Sequence, residues 1–307
     1  PVALAYNRDI IEQLGIDVDA IRTWDDFVKI GQQITQDMDG DGTIDRFAID
    51  MMADGGDNLQ LLIRQRGGGL FDRDGNLTMY DPVIVETIAW YIRQTRGPER
   101  IAFPAGWGQT LAQSMLTDFV AFYFTPDWRT RNFMLEIPRM EGRLGLMPLP
   151  AWKEGERRTS TWGGTGLCIT RACKNPDLAW EFAKYIYLRK ESLGPNFKNT
   201  HVLPPLKEAW DLPEFQEPMP FYGGQSPGKL YASLAPDVPE SYTHPYNNDA
   251  LWKLNESFIA GCKYYDEHGD EGLLEHVDSV LKSKSEAVQR LMDTNAFYTM
   301  KDELTYE

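Results

Sequence analysis

The spacing of apolar residues changes along this chain, and each change predicts an element. Residues 2–6 form a short continuous apolar run of strand length. Asn7, a helix-capping type, follows it, then Ile10, Ile11 and Leu14 at helical spacing and Gly15 as a stop. Thr23 and Asp26 stand at capping-box spacing around Trp24, with Asp in place of the usual Glu, and Phe27, Ile30 and Ile34 carry the helix onward. Residues 71–77 read as a hairpin turn, and Asp81-Pro82 opens another helix, with Ile84, Ile88, Tyr91 and Ile92 inward. A helix over 109–116 leads into 118–124, which reads as a buried strand. Trp162 stands on a glycine-rich turn, and residues 167–170 after it have strand length and strand composition. Asn175-Pro176 then opens a helix whose Leu178, Phe182 and Ile186 recur on one face. Residues 198–225, rich in Pro and Asn, read as loop with short helices. Leu251, Phe258 and Cys262 mark a further helix, and Leu273, Val277, Leu281, Val288 and Leu291 mark the last. Strands alternating with helices predict an α/β fold.

The 307 residues suit about two domains, and 42% hydrophobic with 25% charged residues suits a chain with a real core. The net charge of −15 argues against partners rich in phosphate, whether nucleic acid or an anionic membrane surface. Nine Trp and fourteen Tyr are more than a core needs, so some are expected to line a ligand surface. The three cysteines, Cys168, Cys173 and Cys262, form no CxxC pair and are read as small buried hydrophobes. The four histidines lack any metal-ligand spacing.

Two stretches suggest chemistry of their own. Asp37, Asp39, Asp41 and Asp45, with Gly42 and the carbonyl of Thr43, follow the first nine positions of an EF-hand loop, but Ala48 replaces the bidentate Glu. The expectation is a weak Ca²⁺ site; the alternative is an Asp/Gly turn with solvated charge. Gly224-Gln225-Ser226-Pro227-Gly228 matches the G-x-S-x-G pattern of hydrolases. There the residue after Ser must supply an oxyanion-hole N–H, and Pro227 has none.

The order of YNRDIIEQLGID at 6–17, TWDD at 23–26, GGLFDRDGNLTMYDP at 68–82, Trp128 after its strand, a strand at 145–150 and the Trp162 turn–strand–Asn-Pro–helix unit resembles the extracellular solute-binding proteins of sugar-importing ABC transporters. The resemblance runs from Val2 to about Met292 through short motifs. It implies a two-lobe fold of the type II periplasmic-binding kind, with residues 1–155 and 236–307 in the second lobe and 156–235 in the first. Members of that family begin with a signal peptide and a long αβ segment. This chain opens inside a strand–helix unit, so it is read as lacking that segment, with an incomplete first lobe.

The same resemblance implies a non-catalytic, monomeric receptor outside the cytoplasm that hands a sugar or oligosaccharide to a membrane permease and requires no cofactor. Trp128, Trp162 and Trp252 would lie against sugar rings. Asp127 and the Gly163 and Gly164 amides would meet hydroxyls, and Tyr222 completes the ligand-binding candidates. Two other readings stay open: a glycoside hydrolase, which needs two carboxylates across a cleft, and a calcium-binding structural module.

Overall fold

A computed structural model describes residues 1–295 of the chain. In chain order the strands are β1 (Val2–Asn7), β2 (Phe47–Asp50), β3 (Ala102–Phe103), β4 (Val120–Pro126) and β5 (Leu144–Pro148). The helices are α1 (Arg8–Leu14), α2 (Trp24–Ile34), α3 (Gly56–Gln65), α4 (Pro82–Thr95), α5 (Gly108–Leu116), α6 (Asp127–Glu136), α7 (Pro176–Leu188), α8 (Lys190–Thr200), α9 (Pro213–Gln216), α10 (Pro227–Leu234), α11 (Asn247–His268) and α12 (Leu273–Asp293). They form two packing units, residues 1–50 with 105–238 and residues 51–104 with 239 onward.

In the first unit four strands line up as β2–β4–β1–β5. Strand β1 lies between two antiparallel partners, with Leu4 opposite Phe124 on one side and Met147 on the other. A strand covered on both edges and both faces has no polar side to show, which is why 2–6 is apolar throughout. The local signals around it act as read. Asn7 accepts the N–H groups of Asp9 and Ile10, and Gly15 stops α1 in the left-handed region at φ 64°. The Thr23–Asp26 capping box is reciprocal, and Trp24 is buried against Phe27 and Phe124 at 5.3 and 6.0 Å.

Residues 198–238 pack on the same core. Tyr222 donates to the carbonyl of Thr130 and Tyr231 to that of Thr125, each at 2.7 Å. The Ser226 hydroxyl caps α10 and donates to the carbonyl of Phe215, so its bonds are those of a structural serine.

The stretch 163–188 departs from expectation. Residues 167–170 are not in a strand, and Leu167 and Ile169 are exposed, because no other strand lies beside them among the described residues. Helix α7 forms, yet its expected inner face is bare: Leu178 is 70% and Phe182 62% exposed, with Trp180, Tyr185 and Leu188 also exposed. Its buried residue is Ala183. Asn175 makes no side-chain cap bond, so Pro176 alone carries the start of the helix. Cys168 lies in this open stretch and is exposed, unlike buried Cys262; all three thiols are free.

In the second unit α3, α4, α11 and α12 pack together around Tyr91, whose ring meets Phe258 edge-on at 5.3 Å and whose hydroxyl donates to the carbonyl of Met52. Gly261 lets α11 approach α4: a Cβ there would stand 2.7 Å from the Ile92 Cδ1. On α12, Met292 rather than Leu291 turns inward. Phe71 and Leu77 bridge across the predicted turn.

Residues 51–104 join the C-terminal helices, while 156–238 join the β1–β4–β5 core. Residues 296–307 of the expected second lobe lie outside the described residues.

Candidate functional site

Strand β4 ends at Pro126, whose extended backbone hands the chain to α6, so Asp127 and Trp128 stand where a fully buried strand becomes a helix. Trp128 is half-buried, and its indole N–H donates to the carbonyl of Trp162 at 3.3 Å. The two rings meet edge-on with centroids 6.0 Å apart. A third indole completes the group. Trp107, before α5, stacks near-parallel on Trp128 at 6.1 Å and 15°, and meets Trp162 edge-on at 5.7 Å. Trp107 is 46% exposed, so the cluster has an open side.

Beside Trp128 and Trp162 opens a pocket of about 680 Å³, walled by Gly163, Gly164, Tyr187, Asn196 and the 203–205 turn. That volume suits a molecule of a few rings. Gly163 and Gly164 hold φ of 87° and 125°, where a side chain is strained, and a Cβ on Gly163 would face the Trp128 Nε1 at 3.7 Å. The wall therefore offers aromatic faces, backbone amides and a carboxamide together.

Asp127, expected to meet ligand hydroxyls, lines the pocket, and each of its carboxylate oxygens also accepts a backbone N–H. One carboxylate oxygen accepts the Trp128 N–H at 2.9 Å and the other the Leu203 N–H at 2.8 Å. It shapes the pocket by pinning the 203–205 turn to the start of α6. Tyr222 lies away from the pocket, fully buried with its hydroxyl on Thr130, and burial pushes that phenol well above its usual value. Its role is packing. Trp252 stands on α11 in the second unit, 71% exposed.

Beneath the indoles lies a charge pair. Arg129 is 2% exposed and its guanidinium sits 4.5 Å over the Trp107 ring and 5.5 Å over that of Trp162. Its Nη1 donates to the carbonyl of Phe124 at 2.7 Å, while Nε and Nη2 have no hydrogen-bond acceptor among the described residues. Asp50, buried at the end of β2, has its Oδ2 3.9 Å from Nη2. Its Oδ1 accepts the N–H groups of Ala105 and Gly106 at 3.0 and 3.3 Å. Burial pushes the Asp50 carboxyl up and the Arg129 guanidinium down from their ordinary values. A guanidinium starts so high that it stays charged at neutral pH.

Trp107, Arg129 and Asp50 escaped the sequence reading. Trp107 carries a signal of the Trp162 kind, since Gly106 and Gly108 flank it, both at positive φ. Nothing local marks Asp50 or Arg129.

The acidic loop stands apart. Asp37, Asp39 and Asp45 bring one carboxylate oxygen each within 4.8 Å of the others. Asp41 accepts the Thr43 N–H at 2.7 Å. Asp37 accepts the Gly42 and Gly40 N–H groups, which hold its carboxyl below the usual value. Three hard oxygens in reach of one another fit a cation such as Ca²⁺ in kind, though they are fewer than the six to eight that it takes.

The sequence model described as "Bacterial extracellular solute-binding protein" matches residues 1–191, and the chain belongs to that family. An arabinooligosaccharide-binding protein of Halalkalibacterium halodurans is 30% identical over 221 residues, covering 71% of this chain and 48% of the relative. One of Bacillus subtilis is 29% identical over 219 residues, 69% of this chain and 48% of the relative. The chain thus spans about half the length of the curated relatives it matches. Among solved structures, the ABC transporter associated binding protein of B. animalis subsp. lactis, in complex with β-1,6-galactobiose, superposes with a TM-score of 0.70 at 18% identity. That match covers 95% of this chain and 72% of the other, and it shows a shared fold.

Proposed function

We propose that this chain is the ligand-binding part of an ABC importer's extracytoplasmic receptor and that it holds an oligosaccharide reversibly at the Trp128–Trp162 pocket. The observation that carries this reading is the pairing of the Trp128 and Trp162 indoles with Gly163, Gly164 and Asn196 around a pocket of about 680 Å³. A sugar ring needs both: its C–H face is covered by an indole, and its hydroxyls lose water only where donors and acceptors replace it. Two curated relatives are named for arabinooligosaccharides, which makes that class the first to test. The protein acts as a monomer on this reading and passes its ligand unchanged to a membrane permease. Ser226, the one serine in a hydrolase-like motif, is engaged as a helix cap, which favours binding over hydrolysis.

The test is calorimetric titration of the full protein that carries this chain with arabino-oligosaccharides, β-1,6-galactobiose and maltotriose, each followed by chromatography of the recovered sugar. Saturable binding with the sugar recovered intact supports the reading. Shortened sugar would make the protein a glycoside hydrolase, and no binding across the panel would overturn the assignment to oligosaccharides.

A further inference from the structure

We infer that the buried Asp50–Arg129 pair is a positioning device for the indole cluster, fixing the tilt of Trp107 and through it the stacked surface that a sugar would meet. The inference rests on the sugar-binding reading for its purpose but not for its geometry.

Three observations converge on it. Asp50 grips the two amides just before Trp107, and Gly106 and Gly108 take φ of 66° and 65° on either side of it. The backbone path of the ring is therefore set by one carboxylate. Arg129 follows Trp128 directly in α6, and its flat cation lies under Trp107 at 4.5 Å and beside Trp162 at 5.5 Å. It also reaches Phe133, at 5.2 Å. Its Nε–H and Nη2–H find no acceptor among the described residues, so the guanidinium is held by one carbonyl, one carboxylate at 3.9 Å and aromatic faces.

A buried Arg kept only for stability is expected to have its fork satisfied by hydrogen bonds. Here the planar face is what is used. A cation against an indole face is attracted by the ring quadrupole, and the attraction grows when water is excluded. Asp50 balances the charge that this arrangement buries and ties the loop to it. Arg129 and Asp50 touch no ligand on this account; they act through Trp107.

Lysine in place of Arg129 keeps the charge and loses the plane. Removing one member alone leaves the other buried without its partner, which is costly to the fold. The deciding protein is therefore the double variant Asp50→Asn with Arg129→Met, which removes both charges together.

The experiment compares wild type, Arg129→Lys and the double variant in three measurements: thermal melting, the near-ultraviolet circular dichroism of the coupled indoles without ligand, and titration with the oligosaccharide that wild type binds. The expected result is a double variant that melts cooperatively, has lost the coupled-indole signal and binds about tenfold or more weakly. Arg129→Lys is expected to lose the signal as well. A double variant with the wild-type indole signal would overturn the inference, whatever its affinity. If wild type binds no sugar while the indole signal falls as expected, the positioning stands and the oligosaccharide reading fails.

Discussion

The indole N–H of Trp128 donates to the backbone carbonyl of Trp162 across 34 positions of sequence. One aromatic that offers its face to the pocket thus also fixes the turn bearing the other. Trp128→Phe keeps a ring and loses the donor, and is expected to weaken sugar binding by about tenfold, whereas Trp128→Ala or Trp162→Ala removes measurable binding. Both alanine variants should stay folded, since each ring is only half-buried. Titration beside a melting curve separates the outcomes; normal affinity in both would place the site elsewhere.

Tyr222 tests the opposite role. Its hydroxyl is buried on the Thr130 carbonyl. Tyr222→Phe should cost about 1 kcal/mol of stability by urea denaturation and leave sugar affinity unchanged.

His201 carries an acid dependence. Burial, helped by Arg131, brings its imidazole from the ordinary 6.5 down to about 4. Above pH 6.5 it is neutral in the folded and unfolded chains alike. Between 6.5 and 4 the unfolded chain takes up a proton that the folded one refuses. Stability therefore falls as pH drops through that window, by at most about 1.4 kcal/mol per pH unit from this group. His201 sits at φ 57°, a conformation Asn tolerates. Unfolding curves of His201→Asn should be flatter over the same window; an unchanged slope would assign the dependence to other groups.

The Asp37 loop predicts weak calcium binding, with a dissociation constant of about 1 mM. Calorimetry on chelator-treated protein should show it, and Asp37→Asn should remove it. Silence at several millimolar calcium would leave a turn stitched by its own amides.

Helix α7 gives a prediction about surface. With Leu178 and Phe182 in solvent, Leu178→Lys and Phe182→Lys in this 307-residue chain should leave the melting temperature within about 2 °C of wild type and lower the binding of a hydrophobic dye. A large loss of stability would mean the face is covered.

What was legible in the sequence was what neighbours in sequence decide. The Asn7 cap, the Thr23–Asp26 box, the Asp81-Pro82 start and the Phe71–Leu77 turn each need only a few adjacent residues, and each formed. Periodicity identified α7 equally well, but it reports which residues share a face and is silent on what lies against that face. The same limit governs the site. The glycines beside Trp162 marked a turn, those beside Trp107 went unread, and only the fold brings these rings onto Trp128. Arg129 reads as an ordinary charged helix residue until its aromatic neighbours, at positions 107 and 162, surround it. Asp127 was found by position, while its bonding to the amides of Trp128 and Leu203 depended on a turn 76 residues away.

The place of β1 between β4 and β5 has a consequence for biosynthesis. Its partners are Pro126 opposite Val2 on one edge and Leu144 opposite Asn7 on the other, and the Val2 N–H is answered by Thr159. This apolar strand must therefore wait for these two partners until some 120 further residues have left the ribosome. At about 5–20 residues per second that wait is on the order of ten seconds, long compared with the microseconds of hairpin formation. During it the edges that β4 and β5 later cover stay open, so β1 is a segment on which a holding chaperone would act.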